Sequence, residues 1–271
     1  MDDTNYVGRI PKREPHIEVR ELELGYGGRA ILRDLTFTVG RGDVFVIMGG
    51  SGCGKSSLLR NMIGLLEPVA GEILYDGQNF THADRGERAL HLRRFGVLYQ
   101  KGALWSSMTL AENIGLVLGE YTDLSPAEIR EVAAFKLALV GLAGFEDHMP
   151  SEISGGMQKR AGIARAMALD PQILFLDEPS AGLDPISARR LDELILALRA
   201  NLKTTFVVVT HDLESLLNIG DNSVFLDNET KTILARGEPR DLLENCGIQR
   251  VQAFLRRGVE PALQGASEGT R

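Results

Sequence analysis

The segment VFVIMGGSGCGKS, residues 44–56, constrains the fold more than any other stretch of the chain. A continuous β-rich apolar run, as buried parallel strands have, passes directly into a glycine-rich turn, and a helical stretch follows from Ser57. The turn matches G-x-x-x-x-G-K-[ST] in its expected context, after a buried strand and before a helix. Glycines let backbone N–H groups converge on phosphate oxygens without side-chain clash, and the helix start adds positive potential. Gly49, Gly50, Ser51, Gly52, Cys53, Gly54, Lys55, Ser56 and Ser57 are therefore candidate nucleotide-binding residues. Lys55 is expected to reach the β- and γ-phosphates, and the Ser56 hydroxyl to reach Mg²⁺. Cys53 invites a redox reading, since helix starts lower thiol pKa values. A small residue at a permissive loop position accounts for it more simply.

A second apolar run, ILFLDE (173–178), ends in two carboxylates at the carboxyl edge of a strand, where ligands bind in such sheets. Asp177 is expected to hold Mg²⁺, directly or through water, and Glu178 to orient or deprotonate the attacking water. Alone, such a pair is more often a helix cap. With the loop at 49–56 in the same chain, the catalytic reading takes precedence.

Further strand patterns occur at IEVRELEL, ILRDLTFTV, GEILYDG, FGVLYQ and FVVVT, and VFLDNETKTILARG reads as a hairpin turning at Asn228 and Glu229. A charged helical segment including Arg93 and Arg94 precedes FGVLYQ, and a helix from about Pro185 to Ala200 separates ILFLD from FVVVT. TLAE (109–112) and SPAE (125–128) have capping-box spacing, the second with Pro126 at the first helical position. Residues 102–160 read as a mainly helical insertion, with Gly141 stopping one of its helices. Alternating buried strands and helices give an α/β fold with a mainly parallel sheet.

Composition limits the partners. A net charge of -7 argues against bulk electrostatic binding to nucleic acid, and two cysteines are too few for a disulfide framework. No apolar run approaches the roughly 20 residues of a membrane-spanning helix, and the first residues have no signal-peptide core. Membrane contact is expected only through partners. Residues 1–16, polar with two prolines, read as a loose arm, and 259–271 as a small, polar tail.

Tyr26, Gln100, ISGGM (153–157), SAGLD (180–184) and His211, in this order with the two phosphate-site motifs, resemble the ATP-binding cassette ATPases from about Ile17 to Leu243. The resemblance implies a P-loop NTPase with a RecA-like core, an N-terminal antiparallel β subdomain and an inserted α-helical subdomain, in one ATPase domain over 17–247. It implies that Tyr26 stacks on adenine and that Gln100 senses Mg²⁺ and the attacking water while coupling to a membrane partner. It implies that His211 contacts the γ-phosphate and that Asp184 communicates between subunits. Ser154, Gly155 and Gly156 would meet the γ-phosphate of ATP on a second copy, so two copies work head to tail. ATP and Mg²⁺ are the implied cofactors. Met157 stands where the common signature has glutamine; the serine oxygen and glycine amides are intact, and one peripheral polar contact is lost.

SGGM with Lys159 and Arg160, YQKGALWSSMTLAENI, PSEISGGMQKRAGIARAMALDP and SAGLDPISARRLDELI are most similar to the Mla-type, MCE-associated lipid-transport ATPases. That resemblance implies an integral-membrane permease, an MCE-domain protein and a STAS-domain protein as partners, and the cytoplasmic face of the inner membrane of a diderm bacterium as the location. The implied cargo is phospholipid. An ATPase for amino acids or organic-solvent resistance is the alternative in the same chemistry. A soluble cassette acting on ribosomes or DNA lacks support, since neither a second cassette nor a coiled-coil insertion is present in the sequence. An ATP-holding module without turnover is disfavoured by Glu178 and His211. In IQRVQAFLRR (248–257), Ile248, Val251, Phe254 and Leu255 recur at near-helical spacing. Two readings stay open for it: a cap on its own domain, or an element that crosses to the opposite subunit. No regulatory domain of ordinary size is expected after Leu243.

Overall fold

The computed structural model describes residues 5–27, 29–100 and 104–257, with the Tyr26 side chain outside that description. They divide into two compact units, Met1–Thr81 with Val209–Arg271, and His82–Val208.

In the first unit, β1 (Tyr6–Val7), β2 (Pro15–Tyr26), β3 (Arg29–Gly40) and β4 (Val44–Gly49) precede α1 (Lys55–Met62), β5 (Ala70–Tyr75) and β6 (Gln78–Asn79). An antiparallel sheet of order β3-β2-β5-β6 pairs Ile17 with Val39 and Val19 with Phe37. Leu32, Leu35, Phe37 and Val39 face inward, so the alternation seen in ILRDLTFTV is that of a half-buried strand. Register shifts fall beside Glu21 and Asp34, both at positive φ, which makes these two bulged strands longer and more irregular than their short patterns suggest.

The second unit begins with α2 (Arg85–Leu92), closed at its start by a reciprocal Asp84–Glu87 capping box. Arg93 caps its end and Arg94 lies beyond it, rather than inside the helix as the charge pattern suggests. Next come β7 (Phe95–Leu98), α3 (Leu110–Tyr121) and α4 (Pro126–Leu139), then a 3-10 turn at Pro150–Glu152 and α5 (Gly155–Ala166). β8 (Ile173–Asp177), α6 (Pro185–Leu202) and β9 (Thr205–Val209) complete the unit, with strand order β9-β8-β7 and β8 parallel to β7. Both capping boxes read from TLAE and SPAE form: Thr109 and Ser125 accept from the amides of Glu112 and Glu128, and each glutamate returns the bond. Helical structure starts at Leu110, because residues before it are held in a turn by buried Asn113. Its side chain binds the backbone of Trp105, Met108 and Thr109.

The chain then returns to the first unit with α7 (Leu213–Ile219), β10 (Asn222–Leu226), β11 (Ile233–Gly237), α8 (Pro239–Asn245) and α9 (Gln249–Arg256). Here the strand order is β1-β11-β10-β4. β10 and β11 form the expected antiparallel hairpin, while β4 runs parallel to β10 with all six residues buried. The first residues differ from the loose arm that their polarity suggests. Tyr6 pairs with Ala235, the Gly8 amide donates to Arg236, the Glu238 amide donates to Arg9, and Arg13 meets Asp43 at 2.9 Å. An open strand edge binds backbone whatever its side chains, so composition could not reveal this pairing.

α9 turns its apolar side onto its own unit. Val251 and Leu255 are fully buried among Val46, Met48, Phe225 and Leu242, and Phe254 meets Phe225 edge-on at 5.3 Å. Arg250 adds an ion pair of 2.8 Å with Asp227. Residues 258–271, the polar tail, lie outside the described residues.

Candidate functional site

In the first unit, β4 ends at Gly49 and α1 starts at Lys55, so the intervening loop is pinned at both ends. Two glycines are required by contact. A Cβ at Gly49, where φ is +147°, would lie 2.3 Å from the Leu226 carbonyl; one at Gly54, where φ is +100°, would lie 2.7 Å from Leu32. Gly50 and Gly52 differ: a Cβ there would point into open space. The start of α1 has no side-chain cap and no acidic residue in its first turn. The positive end of a helix without a side-chain cap, beside open glycine positions, suits phosphate oxygens. The Lys55 ammonium donates to the carbonyls of Gly49 and Gly50, both at 3.0 Å, which holds it over the loop. Cys53 is buried, and burial pushes its thiol up while Lys55 pulls the other way. That favours the structural reading of Cys53 over the redox one.

His211 follows β9 and is exposed; Asp212 beside it caps α7 by accepting from the Ser215 amide at 3.3 Å. Tyr26 closes β2, and its side chain lies outside the described residues.

In the second unit, Asp177 is the last residue of β8 and Glu178 the first beyond it, both half-buried. Glu178 has φ +50°, a left-handed conformation that favours glycine and reverses the chain abruptly after the strand. Gln100 stands at the corresponding place beyond β7, since Leu98 pairs with Leu176. Lys159 of α5, 7% exposed, donates to the Gln100 carbonyl and, at 3.4 Å, to the Glu178 carbonyl. Nothing in its sequence context singled this lysine out beyond lineage. A cation four residues into a glycine-led helix, on the side that becomes buried, was the available signal.

Ser154 is the N-cap of α5, its Oγ accepting from the Met157 amide at 3.3 Å. The contact of Met157 is thus made by its backbone, whatever its side chain. Gln158, the next residue, donates to the Pro150 carbonyl at 2.8 Å and ties the preceding turn to the helix. Asp184 is the exposed N-cap of α6, accepting from the Ser187 amide at 3.0 Å, and bonds from the Ser187 hydroxyl and then its amide hold the carboxyl below the usual range. Hydroxyl, carboxylate and amide oxygens of Ser56, Asp177 and Gln100 are the hard donors that Mg²⁺ prefers.

A glycine phosphate loop on a parallel strand and an acidic pair closing another define a P-loop nucleotide-binding protein. Residues 32–181 match the ABC transporter family. A probable ribonucleotide transport ATP-binding protein, mkl, of Mycobacterium tuberculosis is 41% identical over 239 residues, 88% of this chain and 66% of the relative. The chain thus spans just under two thirds of that relative's length. The intermembrane phospholipid transport system ATP-binding protein MlaF of Haemophilus influenzae is 40% identical over 240 residues, 89% of this chain and 90% of the relative. Among solved structures, the dimeric ATP-binding cassette MJ0796 in a post-hydrolysis state bound to ADP and Pi superposes with a TM-score of 0.73 at 28% identity. That match covers 82% of this chain and 98% of the other. The chain belongs to the ABC transporter family, as one of its ATP-binding domains, the ATP-hydrolysing class of that family.

Proposed function

We propose that this chain is the ATP-hydrolysing subunit of a transporter that moves phospholipid across the envelope of a diderm bacterium. The observation that carries ATP use is the start of α1: four glycines, a lysine held over the loop and no side-chain cap. In this reading backbone amides from Gly49 to Ser57 and the Lys55 ammonium take the phosphates, with Tyr26 on the adenine. Ser56, Asp177 and Gln100 hold Mg²⁺, which supplies charge neutralisation on the phosphates when bound. Glu178 accepts a proton from the attacking water, and His211 contacts the γ-phosphate. Ser154, Gly155 and Gly156 serve ATP on a second copy, with Asp184 communicating between the two. Closure on two ATP and opening after hydrolysis then drive the permease. The dimeric state of MJ0796 supports the pairing.

The lipid cargo is supported by the similarity to MlaF over nearly its whole length. An integral-membrane permease, an MCE-domain protein and a STAS-domain protein are the proposed partners, at the cytoplasmic face of the inner membrane. Among the described residues no helix is long and apolar enough to cross a membrane. A cleft of about 620 Å³ between α3 and α4, lined by Met108, Ala111, Gly115, Leu116 and Ile129, offers a permease segment an apolar seat. The ribonucleotide transport for which mkl is named favours a second reading, ribonucleotide as cargo.

Glu178→Gln is expected to keep ATP binding, abolish turnover and trap a dimer; unchanged hydrolysis sinks the proposed base. Copurification from native membranes separates the cargoes. Bound phospholipid with a permease and an MCE protein supports the first reading, and ribonucleotide held by the membrane partners freed of this chain, without lipid, supports the second.

A further inference from the structure

Lys159 sits one turn inside α5, four residues after Gly155, on the side of the helix that is buried. Its ammonium bridges two backbone carbonyls, those of Gln100 and Glu178. These residues occupy equivalent places, each two residues past the paired Leu98 and Leu176. One cation therefore joins three segments of the second unit: the first turns of α5, the turn after β7 and the bend after β8.

The bend needs such a tie. Glu178 holds a left-handed backbone, a conformation that persists only where neighbours fix it. Its carbonyl also accepts from the Ala181 amide at 3.2 Å, so it is gripped from both sides. Burial lowers the pKa of Lys159, whereas the charges of Asp177 and Glu178 raise it. An apolar side chain would fill the same space without desolvating an ammonium. The lysine is thus better explained by what it holds than by packing.

We propose that Lys159 is a positioning residue for hydrolysis, holding the main chains of Gln100 and Glu178 in register with the start of α5. The proposal rests on the assignment of Gln100 and Glu178 to the hydrolytic step. Because Lys159 binds their backbones, it sets where the Glu178 carboxylate and the Gln100 amide emerge. Because it rides on α5, any displacement of the Ser154–Gly156 segment is passed to both. Its loss is therefore read in kcat, while ATP affinity, governed by the phosphate loop, is spared.

The test uses the full chain with its copurified membrane partners, measuring kcat, KM and equilibrium ATP binding for Lys159→Met and Lys159→Gln. Lys159→Met is expected to lower kcat by about tenfold or more with KM for ATP changed less than about threefold. Lys159→Gln keeps a neutral donor for the carbonyls and is expected to stay within about fivefold of the unaltered protein. A Lys159→Met protein with kcat within twofold overturns the proposal, as does a loss carried equally by ATP binding, or a glutamine variant no better than methionine. Should Lys159→Met fail to fold, Lys159→Gln alone decides. A two- to fivefold lower kcat at unchanged KM supports the tie, and a change confined to KM overturns it. Full turnover in Glu178→Gln defeats the proposed base itself; full turnover in Lys159→Met beside an inert Glu178→Gln defeats only the lysine.

Discussion

The starts of α1 and α5 are both glycine-led, yet they are finished in opposite ways. At α1 the N-cap is Gly54 in a left-handed conformation with no side-chain bond, and Lys55 lies over the loop carbonyls. At α5 the N-cap is Ser154 in an extended conformation, and its hydroxyl satisfies the Met157 amide. Four amides at any helix start need acceptors. The α5 start supplies one from a side chain of its own, while the α1 start has no side-chain cap. In the proposed reading the phosphate loop thus turns to ATP for what its own chain does not cap, whereas the start of α5 is capped by its own serine.

The difference can be broken from the α1 side first. Lys55→Ala removes the charge held over the loop and is expected to reduce ATPase activity about 100-fold or more, as loss of a phosphate-stabilising group does. A residual rate above a tenth of the original would show that the amides suffice. Gly54→Ala forces a Cβ against Leu32 in a left-handed residue. A loss of about 2–3 kcal/mol in urea unfolding is expected from strain and overpacking together. On the α5 side, Ser154→Ala deletes only a cap, for which about 1 kcal/mol is the ordinary loss. Ser154→Gly should recover most of the stability but not the hydroxyl that ATP on a second copy would meet, so stability and ATPase activity should separate in that variant. Met157→Gln is expected to be nearly silent, because the bond at this position comes from the backbone. A fall in kcat beyond about tenfold, about 1.4 kcal/mol of barrier, would give the side chain a role that its cap geometry does not suggest.

The same two helices show what the sequence makes legible. Gly49 to Ser56 announce both the loop and its chemistry, because few sequences other than a phosphate cradle need so many small residues before a lysine. Thr109 with Glu112 and Ser125 with Glu128 likewise predict their helix starts, since a capping box is a local bond that needs no tertiary partner. Asp84 with Glu87 carries the same signal and was open to the same reading. Long-range features are another matter. The pairing of Tyr6 with Ala235 and the burial of Lys159 depend on residues far away in sequence, and no periodicity encodes them. The left-handed backbone of Glu178 is also invisible beforehand, because a glutamate is not a residue that such a conformation favours. For IQRVQAFLRR the spacing revealed an apolar face but not its partner; packing then put that face against Val46, Met48 and Phe225.

The turn clamped by Asn113 has a practical consequence. It carries Trp105, the only tryptophan in the chain, with 56% of the residue exposed and its backbone fixed by bonds to a fully buried amide. Two residues further on, Ser107 begins the lining of the cleft between α3 and α4. A fixed backbone beneath an exposed indole, beside the cleft proposed to seat a permease segment, amounts to a built-in optical probe. A segment seating itself in that cleft would change the polarity near the one tryptophan of this chain, so docking could be followed by its emission wavelength with no label attached.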